Sequence, residues 1–166
     1  MVTAAQQTLV QHSWDKLEPL VTHVAELFYD RLFELDPSLE ELLPPSLTKP
    51  STQLVQVLGQ AVAGANDLSR IAPVLRELGR RHRDYGVRVG HYVTAGDALL
   101  WTLEQSLAED FTPRMKEAWE ATYQALSALL LEGAKTRSAD PASAPRGGVV
   151  AAASPGVATR ARQQAG

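Results

Sequence analysis

His82 is the residue in this chain best placed to do chemistry. Leu75, Leu78 and Gly79 precede it by seven, four and three positions, which puts all three on its face of an α-helix. The imidazole then stands over an apolar floor. Gly86 follows four residues on, and a glycine just past the last helical residue ends a helix by taking a left-handed conformation. Arg80, Arg81 and Arg83 complement the negative end of that helix's dipole. A neutral imidazole held this way can bind a metal through one ring nitrogen while the other makes the hydrogen bond that fixes its tautomer. The same pattern taken alone also suits a histidine packed in a core.

Helices account for the patterned part of the chain. Thr3 with Gln6 forms a capping box, and Leu9, Val10, Ser13, Trp14 and Leu17 then repeat at helical spacing. Pro19 breaks or bends this run. Val24, Leu27, Phe28, Arg31, Leu32 and Leu35 predict a second amphipathic helix, with Tyr29 one residue round from its most apolar line. Asp36-Pro37 caps a short third helix carrying Leu39, Leu42 and Leu43, which Pro44-Pro45 closes. A proline-flanked loop from Ser46 to Pro50 leads into a broad apolar helix from Leu54 to Ala65, ending at Asn66-Asp67. Ser69 caps the helix that carries Pro73 and runs on to His82. Tyr92 to Leu107 forms its successor, and Thr112-Pro113 opens the last helix. There Trp119, Tyr123, Leu126, Leu130 and Ala134 supply the buried stripe and Gly133 weakens the end. Trp101, Trp119 and Phe111 are expected in the core, and His12, His23 and His91 as exposed or capping residues. No segment alternates with period two, so the fold class is all-α.

Composition narrows the function classes. A chain of 166 residues that is 45% hydrophobic and 21% charged is expected to build one domain with a sizeable core. The absence of cysteine excludes disulfides, thiolate nucleophiles and iron–sulfur ligation. No apolar run approaches the ~20 residues of a membrane helix, and no basic-then-apolar leader opens the sequence. A cytoplasmic protein without a membrane span is the expectation. The net charge is −3, and the basic cluster is confined to Arg70–Arg88, too narrow for a nucleic-acid footprint. Six arginines against Glu77 and Asp84 in that stretch suit a solvated helical face, an acidic redox partner or the anionic edge of a cofactor. From Ser138 to Gly166 the sequence turns to Ala, Pro, Ser and Gly, with too little apolar surface to offset its ordering entropy. The expected organisation is a folded domain over 1–137 and a disordered tail over 138–166.

The spacing His82, Gly86, Tyr92 and Gly96, followed by an apolar helix, resembles the proximal side of bacterial single-domain haemoglobins and of the globin domain of flavohaemoglobins. The stretch LFYDRLFELDP resembles their second helix and the turn after it. Together the likeness runs from Ala4 to Glu132. It implies a globin fold, a helical sandwich around a haem pocket, with haem b as cofactor and His82 as the iron ligand. Tyr92 corresponds to the tyrosine that hydrogen-bonds the far nitrogen of that histidine, and Tyr29 to the tyrosine whose hydroxyl steadies the gas ligand on the opposite face. Leu43 stands where the family usually has phenylalanine against the haem. Pro50 falls at the gate position that often holds histidine or glutamine, so no second histidine closes the iron from there, and Gln53 is the next polar side chain. Leu54, Val57 and Leu78 are expected to wall the pocket. The glutamate that the family adds from its last helix falls on Ala134, with Glu132 two residues short.

The resemblance further implies reversible binding of O₂, NO and CO and a part in nitric oxide detoxification by NO dioxygenation. Residues 138–166 hold no flavin or nicotinamide domain, so turnover would depend on a separate flavin reductase, for which the arginines beside His82 offer a docking face. The expected state is a monomer or weak dimer. Two other classes compete: oxygen storage or haem-based gas or sulfide sensing without catalysis, and a haem-free globin-fold interaction module. Leu43 and Pro50 favour the last, whereas His82, Gly86 and Tyr92 in register oppose it.

Overall fold

The computed structural model describes residues 2–48, 52–64 and 67–136, with only the backbone described at 47, 48, 52 and 53. Pro50, the Gln53 side chain and the tail over 138–166 therefore lie outside the described residues. Among those described, the regular structure is helical throughout. In order these helices are α1 (Ala4–Leu17), α2 (Val21–Leu35), α3 (Ser38–Leu42), α4 (Pro45–Thr48), α5 (Thr52–Ala63), α6 (Ala72–Asp84), α7 (Val89–Leu107) and α8 (Pro113–Lys135). None is long and apolar enough to cross a membrane.

The ends of these helices follow local chemistry. The Thr3 hydroxyl accepts from the Gln6 amide at 3.2 Å while the Gln6 side chain accepts from the Thr3 amide at 2.9 Å, the reciprocal pairing that starts α1. Pro19 sits in a 3-10 turn at Glu18–Leu20 that bends the chain into α2. The Thr112 hydroxyl accepts from the Met115 amide at 3.3 Å and opens α8, with Pro113 as its first residue.

Several boundaries differ from the sequence reading. Residues Pro45–Thr48 form one helical turn rather than a loop, because a proline at the first helical position gives up an amide that had no partner anyway. Ser69 does not cap α6, whose N-cap is Ile71 with no side-chain bond; Asp67 instead caps a 3-10 turn at Leu68–Arg70, its carboxylate accepting from the Ser69 amide at 3.1 Å. Helix α5 stops at Ala63, and α7 begins three residues before Tyr92, at Val89. Gly133, expected to weaken the end of α8, lies two residues before that end and is buried.

Two buried clusters form the core. The larger joins α1, α2, α7 and α8 through residues such as Trp14, Phe28, Leu32, Leu99, Leu103 and Trp119. Trp119 is 1% exposed and donates its indole N–H to the buried Ser13 hydroxyl at 2.9 Å, which fixes α8 against α1. Trp101 is only half-buried, under the guanidinium of Arg31 at 5.0 Å from its ring centroid. The smaller cluster gathers Ala61, Leu75 and Leu126 from α5, α6 and α8.

Helices α6 and α8 lie in backbone contact. A Cβ on Gly79 would overlap the carbonyl of Leu130, and one on Gly133 would overlap the carbonyl of Arg76. Each glycine is a notch for the other helix. Arg76 pairs with Glu132 at 2.9 Å, and Arg83 donates to the carbonyls of Ala134 and Thr136 at the end of α8. The helix that carries His82 is thereby clasped along most of its length.

Overpacking at such a notch costs about 1–3 kcal/mol. Gly79→Ala and Gly133→Ala are each expected to lower the thermal unfolding midpoint by several degrees. Gly90→Ala, where a Cβ meets nothing within 4 Å, should instead leave it equal or raise it, since alanine is favoured over glycine in a helix by about 0.5–1 kcal/mol. Circular dichroism melts of the three variants check this directly.

Candidate functional site

One apolar cavity lies between the two core clusters and draws its walls from both. Its empty volume, with the solvent space at its open mouth included, is about 980 Å³. His82 enters from α6 and Tyr29 from α2. Leu43, Leu54, Val57, Leu78 and Tyr92 also line it, so every sequence-predicted site residue whose side chain is described meets in one place.

His82 is aimed by the way α6 ends. Gly86 has φ +90°, the left-handed region open to glycine. Its amide donates to the Arg83 carbonyl at 2.8 Å, and the Val87 amide reaches back to the carbonyl of His82 itself at 2.9 Å. These two bonds form a Schellman motif. The backbone of the histidine is thus part of the helix stop, and Val87, just past it, becomes a cavity wall.

Burial pushes the His82 imidazole down to about 4, well below the usual range for histidine. At neutral pH the ring is therefore uncharged, the form that binds metal. Its Nδ1 lies 3.4 Å from the Tyr92 hydroxyl, with the two ring centroids 6.0 Å apart. With Nδ1 paired to Tyr92, Nε2 is the nitrogen left for a ligand. Burial also raises the Tyr92 phenol, so it remains protonated. Glu132 takes no part, because its carboxylate is held by Arg76. Among the described residues no group of three or more His, Cys, Asp or Glu side chains could hold a bare metal ion.

Tyr29 is half-buried between Phe28, edge-on at 5.2 Å, and Phe33, stacked at 5.9 Å. This aromatic seat fixes a phenol at the wall of a space otherwise bounded by Leu32, Leu39, Leu43, Leu54, Val57 and Leu58. Gln53 sits in the first turn of α5, one residue before Leu54.

His91 caps a helix as expected and also turns inward. Its Nδ1 does cap α7, accepting from the Arg88 amide at 3.0 Å, but the side chain is only 16% exposed and reaches the cavity. Its Nε2 faces Asp36 at 3.6 Å. Both nitrogens are turned to protein groups. Tyr123, Leu126 and Leu130 on α8 also wall the cavity; their three- and four-residue spacing marks a buried stripe without saying what it faces. The arginines have internal partners: Arg80 pairs with Glu77 at 2.6 Å and Asp84 at 3.2 Å, Arg81 with Glu77 at 3.3 Å, and Arg83 with Asp84 at 2.8 Å. Arg80, with Arg81, holds the Glu77 carboxyl down at about 2. Glu77 and Asp84 are shared among three arginines, so α6, which also carries Arg76, keeps more positive than negative charge on this face.

A flat, hydrophobic cofactor with one metal coordination site to fill suits this lining: the neutral imidazole of His82, the phenol of Tyr29, three further polar side chains (His91, Tyr92 and Tyr123) that face protein groups, and carbon elsewhere. The family model for globins matches residues 26–130. The chain belongs to the globin family. Neuroglobin of Danio rerio is 31% identical over 140 residues, covering 75% of this chain and 87% of that protein. Neuroglobin of Tetraodon nigroviridis is 27% identical over 146 residues, covering 80% and 92%. The flavohemoprotein of Bacillus subtilis is 32% identical over 99 residues, which is 58% of this chain but 25% of that longer protein. The bacterial likeness read from the sequence is therefore one of two, and the globin family is what both share. Among solved structures, a hexacoordinated heme protein from an anhydrobiotic tardigrade superposes with a TM-score of 0.73 at 17% identity, over 81% of this globin and 96% of that chain. That likeness establishes the fold.

The lowered His82 value makes the haem-free globin acid-sensitive. Above pH ~6.5 the ring is neutral folded or unfolded and contributes nothing. Between ~6.5 and ~4 the unfolded chain takes a proton that the folded chain refuses, so stability falls as pH falls, by an amount on the order of 3 kcal/mol once below pH 4. Denaturant unfolding at pH 7 and pH 4.5 should show a larger loss for wild type than for His82→Gln; equal losses would contradict the burial of this ring.

Proposed function

We propose that this globin binds haem b through His82, takes up O₂, NO and CO reversibly on the Tyr29 side, and acts in nitric oxide detoxification by NO dioxygenation. A separate flavin reductase supplies the electrons. The observation that carries the reading is the neutral, aimed imidazole of His82 sharing one apolar cavity with the phenol of Tyr29.

Haem, when bound, supplies an iron that diatomic gases can reach. The chain does the rest. His82 offers Nε2 from a helix clasped to α8, and Tyr92 accepts from Nδ1–H, which fixes the tautomer and raises the basicity of the ligating nitrogen. Leu43, Leu54 and Val57 keep water out, and in a dry site a hydroxyl donor acts more strongly on a partly negative gas ligand than it would in solvent. Leucine at 43 forgoes an aromatic contact worth about 1 kcal/mol but keeps the wall apolar. With Glu132 tied to Arg76, no carboxylate among the described residues is paired with His82 or Tyr92. That favours gas binding and NO conversion over peroxidase-like chemistry.

The same cavity weighs against a haem-free interaction module. Its apolar lining stays exposed to water when nothing is bound, whereas a bound hydrophobic group covers it.

Removing the hydroxyl in Tyr29→Phe deletes one hydrogen bond to a charged acceptor, worth about 1.5–3 kcal/mol. Stopped-flow measurements should show O₂ leaving roughly ten- to a hundred-fold faster. Reduced protein under air, mixed with NO, should yield one nitrate per haem in a single turnover. Haem protein that binds O₂ but forms no nitrate would move the reading to storage or sensing.

A further inference from the structure

Tyr123 holds a place that simple packing does not explain. It lies on α8 in the apolar cavity wall, where a phenylalanine would fill the same space with no hydroxyl to desolvate. Its hydroxyl donates instead to the backbone carbonyl of Tyr92. That carbonyl sits inside α7, where the amide four residues on already serves it, so the phenol occupies a second lone pair. The acceptor does not need this bond. What the bond adds is location.

The residue four positions after Tyr92 is Gly96, and there the phenol ring comes closest. A Cβ on Gly96 would stand 2.6 Å from Cε1 of Tyr123, so the hydrogen bond exists only because position 96 has no side chain. Tyr123 is also kept as a donor, since burial, with Tyr92 and Asp97 adding, raises its phenol further above the tyrosine range. The contact that depends on all this is long: 3.4 Å from the Tyr92 hydroxyl to His82 Nδ1, close to the limit at which a hydrogen bond persists. A few tenths of an ångström in Tyr92 decide whether it is made.

We propose that Tyr123 is a positioning residue for His82: seated in the notch at Gly96, it holds Tyr92 within reach of Nδ1 and so sets how strongly the imidazole donates to iron. This rests on the haem reading above. Loss of the Nδ1–H hydrogen bond makes the imidazole a weaker donor, which fixes the direction of every effect.

The test uses the full chain loaded with haem, as wild type, Tyr123→Phe, Tyr92→Phe and the double variant, with folding checked by circular dichroism. Resonance Raman spectra of the reduced protein should show the iron–histidine stretch moved to lower frequency in Tyr123→Phe, in the same direction as in Tyr92→Phe and by less. The midpoint potential should rise in step. In the Tyr92→Phe background the second substitution should add nothing, because Tyr123 acts through Tyr92. A stretch and potential unchanged in Tyr123→Phe, or a full additional shift in the double variant, would overturn the proposal. Haem-free protein gives an independent arm: ring ¹⁵N resonances of His82 should move in Tyr123→Phe, and their staying fixed would count equally against it. Wild type that takes up no haem while those resonances respond would sink the haem reading and leave the brace standing.

Discussion

Everything in this molecule turns on keeping one imidazole neutral and aimed inside an apolar space. Burial does the first. Transfer out of water penalises the charged ring, and the resulting preference holds it neutral at neutral pH. Aim is harder, because a histidine has two torsions and an apolar cavity gives it nothing to lean on. Here the restraint comes from the backbone. The His82 carbonyl is itself a member of the helix stop, α6 is in contact with α8 at Gly79 and Gly133, and Arg83 grips the far end of α8. These contacts fix the backbone that carries His82, and the Tyr92 hydroxyl, 3.4 Å from Nδ1, bears on the ring itself.

The relative weight of surface and interior is instructive. The arginines around His82 look from composition like the functional feature, yet exposed ion pairs are worth about 0–1 kcal/mol each, and Arg76, Arg80, Arg81 and Arg83 share the three carboxylates of Glu77, Asp84 and Glu132. Arg83 matters for its hydrogen bonds to α8 carbonyls more than for its charge. The interior contributes through shape. Glycines at 79, 96 and 133 are each placed where a neighbouring backbone or ring would meet a Cβ, and all three lie on the helices that carry or back the His82–Tyr92 pair.

Much of this is legible in the sequence, for physical reasons. His82, Gly86 and Tyr92 share short-range rules: helical periodicity puts His82 over Leu75 and Leu78, and the left-handed turn needs a glycine. The capping box at Thr3 and the opening of α8 at Thr112-Pro113 are likewise local. Long-range facts are not. The sequence places Tyr123 on a buried stripe but cannot say that the stripe faces a cavity, and it marks Gly133 as a weak point when the partner helix makes it a contact. His91 reads as a cap, and it is one; that it also turns inward toward Asp36 depends on where α2 ends relative to α7. Asp67 and Ser69 are equally good capping residues by type, and only the backbone path chooses between them.

The central claim is that His82 holds a haem in this cavity, and titration of haem-free protein with hemin, followed by absorbance, tests it most directly. The claim predicts saturation at one haem per chain with a sharp Soret band that shifts on reduction and again with CO, and a His82→Ala variant that remains folded but loses or alters that spectrum. A folded wild-type protein that stays colourless, or a spectrum indifferent to the loss of His82, would contradict it.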